Sequence, residues 1–262
     1  MTIFAIRMKT RHIIITLIAI SLLISPCVQA TEKNDSIKAI SNCKFNPKQL
    51  ILPSALIAVG ASSLFLSPIK DLDHTINDEM LKLRGEHHSI KLDEYLRITP
   101  TVANFALHFA GVESGYNTTD QLLLTATSYG TMFVLTQGLK HTVNKNRPDG
   151  SDNHSFPSGH VATAFLGAEQ LRMNYGTYWG IAGYTIATGT AFLRLYNNRH
   201  WFGDVIGAAG IGILSARIGY WLLPWEKKLL GLNKKDSSTS FIAIPTIDTH
   251  SNRYGIALAL QF

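Results

Sequence analysis

Six long apolar segments punctuate the chain, at about residues 50–66, 98–112, 120–139, 160–171, 178–195 and 204–223. Each is long enough for a helix, and several are apolar nearly all the way round, which predicts helices buried on most of their surface. They are rich in Gly, Ala, Ser and Thr, as in Gly207-Ala208-Ala209-Gly210-Ile211-Gly212; small residues let helix backbones approach closely, in a membrane bundle or a soluble one. Between the first two segments, the stretch from Asp71 to Arg97 sets Ile76, Met80 and Leu83 at helical spacing among charges. That is an amphipathic helix and turn, placed against solvent or a membrane surface.

After Leu232 the pattern changes. Asn233 to Ser240 is polar and linker-like. Tyr254, Ile256, Leu258, Leu260 and Phe262 then alternate with small or polar residues, the period of two that predicts a strand. Phe241, Ile242 and Ile244 supply a hairpin partner, which Pro245 restricts to an edge position. The expected fold class is all-α, a six-helix bundle over residues 50–232, with residues 233–262 forming a linker and a short C-terminal β-hairpin or strand.

The amino terminus has its own layout. Arg7, Lys9 and Arg11 precede an apolar run from Ile13 to Ile24, and Val28-Gln29-Ala30 ends in a small residue. This is the three-part pattern of a secretory signal peptide over residues 1–30, with 31–49 as a polar leader into the first core element. The apolar run falls short of the roughly 20 residues needed to cross a hydrocarbon core, which favours cleavage over anchoring. Cleavage would lower the formal net charge from +6 to +3. A mildly basic chain suits an anionic partner such as a phosphorylated lipid, and it lacks the basic runs expected of a nucleic-acid binder. Only Cys43 would remain of the two cysteines, so no intrachain disulfide is expected; Cys43 reads as a small half-buried residue.

Three clusters place charge at the ends of apolar helices, where an unused charge is costly. Lys140 to Pro148 ends the third apolar segment, Ser155-Phe156-Pro157-Ser158-Gly159-His160 opens the fourth, and Arg194 to Asp204 joins the fifth to the sixth. Pro157-Ser158-Gly159 ahead of an alanine-rich stretch is a helix start, whose free amides and dipole favour an anion. Lys140, Arg147 and Arg194 supply fixed positive charge for phosphoryl oxygens. If the turn at His200 is helical, His200 and Asp204 share a face and the carboxylate holds one imidazole nitrogen, leaving the other to attack phosphorus. His160, at the mouth of the anion site, is then free to protonate a departing alkoxide. Arg199, His141, Asn144 and Lys145 read as loop surface, and His87, His88, His108 and His154 show no metal-ligand spacing.

These clusters resemble the signature of the type 2 phosphatidic acid phosphatase superfamily: Lys-x6-Arg-Pro, then Pro-Ser-Gly-His, then Ser-Arg-x5-His-x3-Asp. Lys140 to Arg147-Pro148 matches the first element, and Pro157-Ser158-Gly159-His160 matches the second in full. Arg194, His200 and Asp204 keep the spacing of the third, with Leu193 where the family commonly has Ser. The resemblance implies an acid-phosphatase-like bundle with phosphate bound by Lys140, Arg147, Ser158, Gly159 and Arg194. It further implies His160 as general acid and His200 as nucleophile held by Asp204, with no metal and no cofactor. The implied activity is hydrolysis of a phosphomonoester or diphosphate on a membrane lipid: undecaprenyl diphosphate, phosphatidylglycerophosphate, phosphatidate or lipid A. Export to a cell-envelope membrane or periplasm follows from the leader. A soluble periplasmic acid phosphatase, a vanadate-dependent haloperoxidase and a non-enzymatic membrane bundle remain as alternatives. If all six segments cross a membrane, the clusters face the cytoplasm; an outward site requires 98–112 or 50–66 not to cross, or a bundle outside the bilayer.

Overall fold

The computed structural model describes residues 43–86 and 89–232, together with the backbone of two terminal strands. The expected signal peptide, most of the leader, His87, His88, most of the 233–240 linker and Phe262 lie outside the described residues. A 3-10 turn at Pro47–Leu50 leads into α1 (Ile51–Ser62), and α2 (Ser67–Arg84), α3 (Asp93–Leu96), α4 (Thr99–Phe109) and α5 (Thr118–Val143) follow. Helices α6 (Gly159–Tyr175), α7 (Thr177–Tyr196) and α8 (Phe202–Leu229) complete the bundle. All six apolar segments are therefore helices, as α1 and α4 to α8. The amphipathic stretch is α2 with the short α3 after it.

Local chemistry sets the boundaries. Pro68 and Pro100 sit in the first turns of α2 and α4, where a missing N–H costs nothing. Asn117 caps α5 by accepting from the Asp120 N–H at 2.8 Å. That helix ends where Asn144 turns left-handed at φ 48, a conformation asparagine tolerates. Gly176, at φ 87, turns the chain sharply from α6 into α7.

The core lies between α6 and α8. Helix α6 packs on α4, α7 and α8, while α8 also carries α1 and α5. Val161, Ala162, Ala164 and Leu166 of α6 and Ala208, Ile213 and Ala216 of α8 are fully buried. Glycine permits these approaches: a Cβ on Gly212 would overlap the Ala162 carbonyl, and one on Gly60 the backbone of Gly207. Within the core, fully buried Glu169 accepts from Arg172 at 2.7 and 2.8 Å, Arg217 at 2.8 Å and Tyr184 at 2.6 Å. One carboxylate so satisfied ties α6, α7 and α8 together.

Helix α2 differs from a purely solvated element. Asp73 and Met80 are buried and the helix packs on α7 and α8, so one of its charges faces inward. Beyond the bundle, β1 (Ser240–Asp248) pairs antiparallel with β2 (Arg253–Gln261), setting Pro245 opposite Ile256. Both strands of a two-stranded sheet are edges, so proline is tolerated there. Half-buried Cys43 approaches the Tyr116 hydroxyl at 3.8 Å.

Among the described residues, only Phe202–Leu229 is long and apolar enough to cross a membrane, and 72% of its window is buried inside the protein. At about 1.5 Å per residue, the 11 residues of α4 reach about 16 Å, well short of a hydrocarbon core of about 30 Å.

Candidate active site

The three charged clusters meet at one end of the bundle because α5 ends, α6 begins, and α7 hands over to α8 on the same side. Arg194, in the last turn of α7, is buried; its Nη1 donates to Asp93 Oδ2 at 2.6 Å. Its Nε finds no hydrogen-bond partner among the described residues. Ser158 is the N-cap of α6, yet its side chain makes no cap bond and its buried Oγ is likewise unpartnered. Beside it, a Cβ on Gly159 would meet nothing within 4 Å. An open space therefore faces a helix start, with buried donors unspent next to it.

Arg147 donates from Nε to Asp152 Oδ1 at 2.8 Å, and Lys140 donates to the His154 carbonyl at 2.7 Å. Burial, and then the charge of Arg147, pushes Lys140 down to about 8. Arg199 is partly exposed and paired with Asp149 at 3.0 Å. His141 and Asn144 are exposed as expected. His108 is structural: its two ring nitrogens contact Thr118 Oγ1 at 2.8 Å and Gln121 at 2.9 Å.

His200 is only 2% exposed, and its Nδ1 lies 2.8 Å from the Ser155 carbonyl. A carbonyl only accepts, so Nδ1 carries the proton and Nε2 keeps its lone pair. Burial drives the imidazole down to about 4, leaving it neutral over most of the pH range. The expected direct hold of the Asp204 carboxylate on the imidazole is corrected here: its Oδ2 stands 3.8 Å from Nδ1, beyond hydrogen-bond distance. The reason is backbone geometry. Trp201, not His200, is the N-cap of α8, so the spacing of four does not stack the two side chains on a helix. Asp204 instead accepts from Ser155 Oγ at 2.5 Å and from the Trp201 N–H at 2.9 Å. It thus holds the residue whose carbonyl holds His200.

Lys145, expected on the loop surface, is a second correction. Its ammonium lies 2.9 Å from both Asp73 Oδ2 and Asp204 Oδ1 and 3.1 Å from Ser63 Oγ. Asp73 also accepts from the Gly203 N–H at 2.7 Å, which fixes the start of α8. A cleft of about 640 Å³ opens behind this lysine, lined in part by Phe65, Lys70, His74 and Trp201.

His160 opens α6 with Nε2 at 3.0 Å from Glu94 Oε1, without hydrogen-bond alignment. Asp93, Glu94 and His160 bring one donor atom each within 4.8 Å of one another. The Arg194 guanidinium already occupies the cationic place beside Asp93, so this donor set does not fit a metal ion well. The sequence set Ser155 in the second cluster without a role, and it did not point to Asp73, Asp93 or Glu94 as parts of the site. Only Asp73 carried a signal, a charge three and seven residues before Ile76 and Met80 on the same helical face.

The chain is similar to known proteins. A lipid A 1-phosphatase of Porphyromonas gingivalis is 32% identical over 209 residues, covering 76% of this chain and 46% of that protein. The chain thus spans about half the length of this relative. A crystal structure of a transmembrane PAP2-type phosphatidylglycerolphosphate phosphatase from Bacillus subtilis aligns with a TM-score of 0.47 at 22% identity. That alignment covers 71% of this chain and 99% of the other. The PAP2 superfamily model matches residues 121–228, the segment that carries Lys140, Arg147, Ser158, Gly159, His160, Arg194, His200 and Asp204.

Proposed function

We propose that this protein is a metal-independent phosphatase that hydrolyses a phosphomonoester or diphosphate of a membrane lipid through a phosphohistidine. The observation that carries this reading is the pair of buried, unpartnered donors, Ser158 Oγ and Arg194 Nε. They stand beside a neutral histidine with a free ring nitrogen, and buried donors left unspent call for a ligand that accepts.

Lys140, Arg147 and Arg194 neutralise the phosphoryl oxygens, and the start of α6 with Ser158 and Gly159 completes the cradle. Nε2 of His200 attacks phosphorus as the bond to the leaving oxygen breaks. The electron pair stays on that oxygen, which takes the proton from His160. In the second displacement His160 takes a proton from water, the oxygen attacks phosphorus, and the P–N electrons return to His200. Asp204 acts through Ser155, whose carbonyl keeps the proton on Nδ1 and the lone pair on Nε2. The cationic side chains supply the charge that a metal supplies elsewhere.

A lipid substrate is supported by the named activity of the Porphyromonas relative and by apolar surface near the site. Phe65, 79% exposed, lines the cleft with Trp201 and Lys145, an amphipathic setting for an acyl chain. We assign the protein to a cell-envelope membrane or periplasm, reached through the signal-peptide pattern of residues 1–30. The test is phosphate release by purified wild type and His200→Ala, in detergent, across phosphorylated lipids and an aryl phosphate. Release that requires His200 and favours a lipid is the expected result. Equal release from the variant rejects the mechanism, and preference for the aryl phosphate rejects the lipid substrate.

A further inference from the structure

Resting on the phosphatase reading, we propose that Glu94 is a positioning residue for His160, its carboxylate favouring the charged imidazole in the free enzyme and giving up that place to the leaving oxygen. The argument begins with how the acid comes to be there. Asn197, just past α7, donates to the Ile90 carbonyl at 2.8 Å and accepts from the Ile90 N–H at 2.9 Å. It also donates to Asp93 Oδ1 at 3.3 Å, while Arg194 holds Oδ2. Four contacts therefore lock the segment from Ile90 to Asp93 onto the end of α7. The next residue is Glu94, whose Oε1 is brought 3.0 Å from His160 Nε2. Its Oε2 lies 3.4 Å from Arg97 Nη2.

The position matters because a general acid must hold a proton when substrate arrives, and the surroundings of His160 oppose that. Burial, then Arg194, lowers its proton affinity, with Arg97 adding to the effect. Arg147 in turn acts on Arg194, and both act on Lys140. Asp93 is spent on Arg194, which leaves Glu94 as the carboxylate in contact with the imidazole. Its own carboxyl is held below the usual range, chiefly by His160, as expected of a reciprocal pair. Glu94 is about half exposed, so its carboxylate has room to swing outward when a phosphate oxygen arrives.

The isosteric variant Glu94→Gln tests this in the full-length protein. The alkaline limb of kcat/KM, which reports the protonated acid of the free enzyme, is expected to move to lower pH by about half to one unit. The acidic limb, set by His200, stays in place. Imidazole NMR, with His160 assigned by loss of its signal in His160→Asn, should show the same fall in the His160 midpoint. Glu94→Asp should restore part of it. An unchanged His160 midpoint in folded Glu94→Gln overturns the proposal. If no substrate is turned over, the NMR titration still decides the Glu94–His160 link, so failure of the phosphatase reading is seen separately. If Glu94→Gln does not fold, the wild-type Glu94 carboxyl resonance decides: a step shared with His160 supports the link, and independent titration overturns it.

Discussion

Lowering the pH tests the burial of His200. Its imidazole is lowered by burial from 6.5 to about 4 in the folded protein, so between those values the unfolded chain binds the extra proton and the folded chain does not. Stability therefore rises with pH across this window and is lost as pH falls from 6.5 towards 4. At about 1.4 kcal/mol per pH unit, the full window is worth about 3 kcal/mol. The perturbation that isolates it is His200→Asn, which keeps an amide donor for the Ser155 carbonyl and never takes a charge. Urea unfolding of both proteins at several pH values from 7 to 4, in the same detergent, gives the two slopes. The wild type should lose about 3 kcal/mol more than the variant over that range. His160 titrates in both and cancels in the difference. Asp204, also held low in the fold, chiefly by His200 and Lys145 working against burial, contributes at the acidic end. Parallel curves would show that His200 is not held neutral by the fold, and the mechanism built on its free lone pair would fall with that. Kinetics gives an independent check, since the acidic limb of kcat/KM should lie near 4; a limb at the ordinary imidazole value has the same adverse meaning.

Other perturbations reach different parts of the argument. Lys145→Met leaves Asp73 and Asp204 as buried carboxylates without their cation and should cost about 3–5 kcal/mol of stability, measured by denaturant unfolding at pH 7. Gly212→Val forces a side chain into the Ala162 carbonyl and should cost about 3 kcal/mol. Gly189→Ala, with nothing within 4 Å, should instead gain about 0.5–1 kcal/mol in the same assay. Phosphate release should persist in a strong chelator; loss restored by added metal would refute cationic side chains as the sole charge carriers.

The elements were legible because burial imposes a period. Each apolar segment became a helix, and the Pro157-Ser158-Gly159 start falls where the sequence places it. The site was legible only along the chain. Lys140, Arg147, Ser158 and His160 lie on one connected stretch, from the last turn of α5 through the following loop to the start of α6, which keeps them at one end of the bundle. The contacts that tune them cross the chain instead: Asp93 reaches Arg194 over 101 positions and Asp73 reaches Lys145 over 72. No local pattern marks Asp93 or Glu94, since α3 has only four residues, too few for a hydrophobic period. The His200–Asp204 spacing misled for a related reason. Periodicity locates a helix well but its first residue poorly, and here the helix begins one residue past the histidine's reach.

On the proposed mechanism, the two histidines take two roles from one environment. Both are lowered first by burial and then face the same cations, and Arg194 depresses each of them. Their neighbours separate them. Fully enclosed His200 gives its Nδ1 proton to a carbonyl, a partner that fixes the tautomer without adding charge, so the ring stays neutral and nucleophilic. His160 is more open and meets a carboxylate at Nε2, which favours the imidazolium and leaves a proton ready for the leaving oxygen. Burial lowers His200 to about 4 and also lowers His160 from its ordinary value, so the states that both roles require are expected on the acid side of neutrality. Turnover that peaks there and falls by pH 8 agrees with this division. A peak at pH 8 or above would require some other group to be the acid, and would return Glu94 and His160 to a structural role.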